Sequence, residues 1–138
     1  MHLFETVLLG TLGPDAYNGL WDGSTDWGSA EVKTALENYA KVLSYANSDS
    51  ASLTWQDASQ LVVNGEAAFN VMGDWAAGYF IELGKTANTD YGWAATPGAN
   101  GIFQFLSDSF VLAVGAPHRD AALEWLKVAG SKEGQEAF

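Results

Sequence analysis

Apolar residues recur every three or four positions over three separate stretches of this 138-residue chain, and this spacing constrains the fold most. The most regular stretch runs from Ala30 to Ala46, directly after Ser29, which is a good helix-capping residue. A second covers Leu3 to Leu12 and ends at Gly13-Pro14, and a third covers residues 122–129. The chain is therefore predicted to be rich in amphipathic helices.

Strand-like segments lie between these helices. Residues 67–72 form a strand-length apolar run, followed by Gly73-Asp74 and by a helical stretch from Trp75 to Leu83. Three later apolar runs are also predicted to be strands: residues 91–95, 102–105 and 110–114. Because helices outnumber strands and the two are mixed along the chain, the predicted fold class is a helix-rich α/β domain, with one domain over residues 1–138.

Composition excludes several classes of partner. Acidic residues outnumber basic ones by 17 to 6, and the formal net charge is −11, so neither nucleic acid nor an anionic membrane surface is a predicted partner. No apolar run approaches the roughly 20 residues that cross a bilayer, so membrane insertion is not predicted. The chain has no cysteine, which removes disulfides and thiolate metal sites. No cofactor and no metal ion are predicted.

Two polar segments are interpreted as turns and caps. Asp22-Gly23-Ser24-Thr25-Asp26 resembles the start of a calcium loop, but Trp27 and Lys33 stand where that loop requires Gly and Glu. We interpret this segment as a solvated turn. Thr54-Trp55-Gln56-Asp57 is interpreted as a capping box with Asp in the place of Glu or Gln, for a helix that ends at Asn64-Gly65.

Tryptophan and aspartate occur together at predicted strand ends. Asp74 and Trp75 lie where a strand enters a helix, and Trp93 and Asp108 lie at or beside other strands. Strand ends in α/β layers face clefts in which ligands bind. A sugar needs a flat apolar surface for its C–H face and acceptors for its hydroxyls, and these two residue types supply both. The alternative is that these residues have a purely structural role, because Asp74 is also a good N-cap for the helix and a tryptophan in an apolar setting usually belongs to the core.

Catalytic patterns are incomplete. Ser107-Asp108-Ser109 and two histidines contain the residue types of a hydrolase triad, but the chain has no Gly-x-Ser-x-Gly elbow. A glycoside hydrolase would need two carboxylates, such as Asp74 and Asp108, about 5–9 Å apart. We therefore predict that the chain is not an enzyme, and keep a glycoside hydrolase as the less favoured alternative.

Several motifs resemble one protein family. Val63 to Trp75 resembles the segment V-x-G-x-A-A-F/M-x-x-x-G-x-W in the C-terminal lobe of family 1 extracellular solute-binding proteins, which serve ABC sugar transporters. Residues 124–127 and 131–138 are similar to the helix pair that follows in that lobe. Three further segments bring the chain closer to the glucose-, galactose- and mannose-binding members: residues 12–15, 74–79 and 106–110.

The resemblance implies a type II periplasmic-binding-protein-like fold, of which this chain is a partial C-terminal lobe without the N-terminal lobe and the C-terminal remainder. By motif, the residues that line the sugar site in that group correspond to Trp75, Trp93 and Asp108. Asp74 and His2, just before the first helix, are further candidates. In complete family members a sugar binds between two lobes that close by a hinge motion. The implied ligand is a monosaccharide of the glucose type, and the implied partners are the ABC permease subunits.

The resemblance also implies a periplasmic or extracellular location, with a lipid anchor in some relatives, although the first residues do not form a signal peptide. One lobe alone should bind sugar weakly. Its inter-lobe surface should be rich in exposed aromatic side chains, so a homodimer or a swapped arrangement is expected. The alternative is a stand-alone binding module of the same ancestry, whose gene carries only this lobe.

Overall fold

The computed structural model describes residues 2–137 and contains, within that range, seven α-helices and one 3-10 helix over Ser50–Ser52. The helices are α1 (His2–Leu12), α2 (Pro14–Asp22), α3 (Ala30–Leu43), α4 (Trp55–Val63), α5 (Ala76–Glu82), α6 (Arg119–Ala129) and α7 (Lys132–Ala137). The helix-rich prediction is confirmed. The predicted boundaries are close to the observed ones, although α3 ends at Leu43 rather than Ala46.

The chain divides into two compact units, Met1–Gln104 and Phe105–Phe138. The first unit contains α1 to α5, and the second contains α6 and α7. In the second unit, Ser131 caps α7, because its hydroxyl accepts a hydrogen bond from the Gly134 amide at 3.1 Å.

The core of the first unit lies between α1, α2 and α3. Four side chains from these helices form its buried centre: Leu8, Leu20, Val32 and Ala35. Phe4 of α1 packs edge-on against Tyr39 of α3, with 5.5 Å between ring centroids. Because Phe4, Leu8 and Leu12 are four residues apart, they share the face of α1 that packs on its neighbours.

Helix α1 also holds the segment that precedes the second unit. The Gln104 amide nitrogen donates to the Tyr17 hydroxyl at 3.0 Å, and its carbonyl oxygen accepts from the Thr6 hydroxyl at 3.3 Å. Gly98, with φ of 82°, lies so close to the backbone of Gly10 that a Cβ on it would overlap Gly10. Helices α1 and α2 therefore fix residues 98–104 by both packing and hydrogen bonds.

The four predicted strands are wrong for the described chain. Residues 67–72, 91–95, 102–105 and 110–114 form no strand there, and the β pairing within residues 2–137 is one isolated parallel bridge between Ala87 and Tyr91. A strand exists only through hydrogen bonds to a neighbouring strand, and an apolar run does not specify that neighbour. Many of the apolar side chains on these segments are exposed, including Phe69 at 90% and Val111 at 89%.

Helix α4 begins at the predicted capping box. The Thr54 hydroxyl accepts from the Asp57 amide at 3.1 Å, while the Asp57 carboxylate accepts from the Thr54 amide at 3.1 Å and from its hydroxyl at 2.7 Å. The hydrogen bond from the Thr54 side chain, together with that from its backbone, lowers the pKa of the Asp57 carboxyl below its ordinary value. The capping-box prediction is confirmed.

Replacing Thr54 by alanine is expected to lower the free energy of unfolding by about 1 kcal/mol at pH 7, because the helix loses its N-cap acceptor. A carboxyl group whose pKa is lowered by folding stabilises the folded protein at pH values above its unfolded pKa, and this stabilisation is lost as pH falls through the folded pKa. The difference in the free energy of unfolding between wild type and Thr54→Ala should therefore shrink below pH 3.8, the ordinary pKa of Asp57. Urea unfolding at pH 7 and at pH 3 measures it.

Thr34→Ala is the matched control, since Thr34 is an exposed residue inside α3 whose hydroxyl donates to the Ala30 carbonyl. Alanine is the better helix former, so this variant should be as stable as wild type or slightly more stable. A Thr54→Ala penalty that stays the same at both pH values would contradict the role given to Asp57.

Candidate functional site

Trp75 stands at the N-cap position of α5 and is 41% exposed. Its indole ring contacts two other parts of the first unit. The imidazole of His2, the first residue of α1, lies edge-on to it, with 5.2 Å between ring centroids and 63° between ring planes. Gly73 lies against the six-membered ring of the same indole. The structure therefore brings two predicted site residues, His2 and Trp75, into contact.

Asp74 precedes Trp75 and is exposed. The alternative in which Asp74 caps the helix is wrong, because Trp75 rather than Asp74 occupies the N-cap position of α5. The backbone carbonyl of Asp74, not its side chain, accepts a hydrogen bond from the amide of Ala77, at 2.9 Å. An exposed carboxylate and a partly exposed indole thus stand next to each other where α5 begins.

Trp93 is 78% exposed and lies in an irregular segment that is attached to the same helix. Two residues before it, the ring of Tyr91 stacks on the buried ring of Phe80 in α5, with 4.4 Å between centroids and 23° between planes. A helix rises 1.5 Å per residue, so Phe80 is about 7.5 Å along the axis from Trp75. Helix α5 therefore carries Trp75 at its start and anchors the segment of Trp93 near its other end.

Asp108 belongs to the second unit, where it is exposed and lies outside the helices. Two residues later, Phe110 packs edge-on against Trp125 of α6, with 5.0 Å between ring centroids. This contact attaches the segment around Asp108 to the helix pair of its own unit.

The segment that leads to Trp75 is held by a polar pair, Ser59 and Asn70, that no sequence pattern predicted. Ser59 of α4 is fully buried, and its hydroxyl donates to the Trp55 carbonyl at 2.8 Å and accepts from the Asn70 amide at 3.0 Å. A buried hydroxyl that is fully hydrogen-bonded fixes its surroundings, because breaking the bond leaves an unsatisfied polar group. Nothing in the sequence distinguishes Ser59 from a serine on the exposed face of α4.

A second missed contact joins α4 to α5. The Tyr79 hydroxyl donates to the Gln60 carbonyl oxygen at 3.0 Å, and the Tyr79 ring lies 5.8 Å from that of Trp55 in an edge-on arrangement. Tyr79 thus fixes the helix on which Trp75 stands. Its signal in the sequence is its place four residues after Trp75, but its partners on α4 are separated from it by a long stretch of chain.

The acidic turn after α2 behaves as the solvated turn that was predicted. Asp22 accepts from the Ser24 amide at 2.9 Å, and Asp26 accepts from the Gly28 amide at 2.8 Å, so each carboxylate binds the backbone of its own turn. The hydrogen bond from the Ser24 side chain and, to a smaller extent, that from the Ser24 backbone lower the pKa of the Asp22 carboxyl below its ordinary value. Within residues 2–137, no group of three or more His, Asp and Glu side chains is arranged to hold a metal ion.

None of the helices in the described residues combines the length and apolar character that a membrane crossing requires. The longest, α3, has 14 residues.

The chain is similar to several binding proteins of known name. An uncharacterised ABC transporter extracellular-binding protein of Pyrococcus horikoshii is 40% identical over 136 residues, which is 99% of this chain and 30% of the relative. A probable sugar-binding periplasmic protein of Mesorhizobium japonicum is 36% identical over 99% of this chain and 33% of its own length. A xylose/arabinose-binding protein of Haloferax volcanii is 31% identical over 100% of this chain and 30% of its own.

The chain spans about a third of the length of these relatives. Residues 3–136 match the sequence profile of the family described as bacterial extracellular solute-binding protein. This match covers almost the whole chain, and the family has the periplasmic-binding-protein-like fold. The chain therefore belongs to the bacterial extracellular solute-binding protein family.

Proposed function

We propose that the protein binds a sugar for uptake by an ABC transporter, and that Trp75 supplies the surface on which the sugar ring stacks. The observation that carries this proposal is the position of Trp75, which is partly exposed at the start of α5, touches His2 and follows the exposed carboxylate of Asp74. A sugar presents C–H groups on its faces and hydroxyls at its edge. An indole beside a carboxylate can bind both parts at once.

Trp93 is proposed as a second stacking surface. Its side chain is largely exposed, and the stack of Tyr91 on Phe80 ties its segment to the helix that Trp75 begins. Asp108 is proposed as a further hydroxyl acceptor on the strength of its Ser-Asp-Ser motif alone. His2 is proposed both to contact the sugar and to support the ring of Trp75, which it touches.

The ligand proposed is a monosaccharide of the glucose type. The xylose/arabinose-binding relative is named for monosaccharides, which supports a single sugar ring as the ligand. The choice of the glucose type rests on the resemblance of residues 12–15, 74–79 and 106–110 to that group. Galactose and mannose each differ from glucose in the orientation of one hydroxyl, so the hydroxyl acceptors decide among the three sugars.

The proposed setting follows from the relatives. The Pyrococcus horikoshii relative is named as an ABC transporter extracellular-binding protein, which supports an ABC permease as the partner. Its name and that of the periplasmic Mesorhizobium japonicum relative support a periplasmic or extracellular location for this protein. Binding proteins among the relatives favour a carrier over the glycoside hydrolase alternative. We also propose that these 138 residues are part of one lobe, the C-terminal one, rather than a stand-alone module of the same ancestry.

A sugar panel on the full-length protein tests this function. One of glucose, galactose, mannose, xylose and arabinose should raise the melting temperature, because a ligand present at 100 times its dissociation constant adds about 2.7 kcal/mol of stability. Sorbitol, which has hydroxyls but no ring face, is the control and should have no effect. A panel without any stabilising sugar would refute the proposed function.

The isolated 138-residue chain should bind the same sugar at least about 100-fold more weakly, because a cleft with one side missing forfeits several contacts of about 1 kcal/mol each. Its exposed aromatic side chains should also drive it toward a homodimer. Calorimetry and light scattering measure the two effects. Micromolar affinity in the isolated chain would refute the one-lobe proposal, and a clean monomer mass would refute the homodimer.

A further inference from the structure

Gly73 lies directly against the indole of Trp75. A Cβ built on Gly73 would overlap three neighbouring atoms of the six-membered ring, namely Cε3, Cζ3 and Cη2. A point that is close to three consecutive ring atoms at once lies over the face of the ring rather than outside its edge. Gly73 therefore covers one face of the indole.

The backbone of Gly73 does not itself require glycine. Its φ lies outside the left-handed region between +20° and +160°, unlike that of Gly98 or Gly101, so an L residue can adopt this conformation. What excludes a larger residue is the ring of Trp75. The absence of a side chain at position 73 thus creates the space in which the indole lies.

Two contacts act on the ring from different parts of the chain. Gly73 lies under one face, and the imidazole of His2 meets the ring edge-on at a centroid distance of 5.2 Å. Asn70, three residues before Gly73, is hydrogen-bonded to the buried hydroxyl of Ser59, so the backbone that carries Gly73 is itself anchored to α4. The ring is therefore contacted on one face by an anchored backbone, and it also touches the residue at the start of α1.

We propose that Gly73 is a positioning residue for sugar binding: it seats the indole of Trp75 so that one fixed face of the ring is open to a single sugar ring. The proposal rests on the proposed function. A tryptophan that could rotate freely would have to be ordered when the sugar binds, and this ordering would lower the affinity. The contact with Gly73 orders the ring before the sugar binds, so this loss of affinity is avoided. It also blocks stacking on the second face, which suits one monosaccharide ring.

Gly73→Ala tests whether Gly73 positions the indole of Trp75. The added methyl group must push the indole away, and the ring can shift because Trp75 is 41% exposed and the atoms that the methyl group would overlap belong to its side chain. We expect sugar affinity of the full-length protein to fall about two- to tenfold, since one side chain becomes disordered. The melting temperature should change little. Gly78→Ala is the matched control, because a Cβ at Gly78 in α5 would meet open space among the described residues.

A double-mutant cycle separates positioning from a general loss of structure. If Gly73 acts through the indole, Gly73→Ala should have no further effect on sugar affinity in a Trp75→Ala protein, while the two changes would be additive if they acted independently. The NMR shifts of the His2 ring protons give a readout that needs no sugar. They should move in Gly73→Ala, because the indole ring current is displaced, and stay in place in Gly78→Ala.

The outcomes are distinct. Wild-type protein that binds no sugar refutes the proposed function. Wild-type binding with an unchanged affinity in Gly73→Ala refutes the positioning role, whether or not the His2 signals move. Additivity of Gly73→Ala with Trp75→Ala also refutes it. A fall in affinity that disappears in the Trp75→Ala background, with shifted His2 signals, supports it.

Discussion

Trp75→Ala is expected to weaken sugar binding to the full-length protein by about 30-fold or more, since a tryptophan at the centre of a binding site typically contributes at least 2 kcal/mol. The alanine removes the stacking surface and leaves the sugar face in contact with water. Trp75→Phe keeps a smaller aromatic face and should lose less affinity. Calorimetric titration with the sugar that binds most tightly measures all three proteins.

Trp21→Ala is the matched control for this prediction. Trp21 is another exposed tryptophan of the first unit, but its ring contacts Tyr17 and Trp27 near the polar turn rather than His2. This variant should keep wild-type sugar affinity. If Trp75→Ala also kept it, while remaining folded by circular dichroism, Trp75 would not be the stacking surface and the proposed site would be wrong.

The helices could be predicted because their signals lie within each segment. The capping box at Thr54 and Asp57 involves residues three positions apart, and the stop at Gly13-Pro14 is local as well. The strands depended on partners that no local pattern specifies. Residues 110–114, for example, have the composition of a buried strand, yet in the structure Phe110 packs against Trp125 and Val111 is exposed.

The candidate site was predictable in residue type but not in arrangement. Tryptophan and aspartate identify the chemistry of sugar binding wherever they lie, so Trp75 and Trp93 could be named from the sequence. The contact between His2 and Trp75 joins the start of α1 to the start of α5, and only the tertiary fold creates it. The same holds for the stack of Tyr91 on Phe80, which attaches Trp93 to α5.

Helix α1 contacts two parts of the candidate site: the ring of Trp75 and the turn that follows Trp93. His2 at its start touches Trp75, and Gly10 near its end touches the turn at Pro97 and Gly98, which follows Trp93 by a few residues. Eight residues of helix separate these two contacts by about 12 Å. A change that moves the turn away from Gly10 should therefore disturb the segment of Trp93 while leaving the contact of His2 with Trp75 in place.

Gly98→Ala makes that change, and it is expected to lower the free energy of unfolding by about 2–5 kcal/mol. One part is the strain of an L residue at φ of 82°, and the other is the overlap of its Cβ with the Gly10 backbone, which cannot swing aside as a side chain can. Gly101→Ala separates the two parts. Gly101 lies in the next turn, which the Ile102 amide closes by donating to the Ala99 carbonyl, and its φ is 77°, but a Cβ there meets open space among the described residues.

Gly101→Ala should therefore lower the free energy of unfolding only by the backbone strain, about 1–2 kcal/mol. Urea unfolding of both variants then gives the contribution of the overlap with Gly10 as the difference between the two losses of stability. Under conditions in which Gly98→Ala is still folded, its sugar affinity should fall, because Trp93 is no longer held in place, while its His2 ring signals should match those of wild type. Equal losses of stability in the two variants would show that the packing of the turn on α1 does not stabilise the fold. Shifted His2 signals would show that α1 does not keep the two contacts independent.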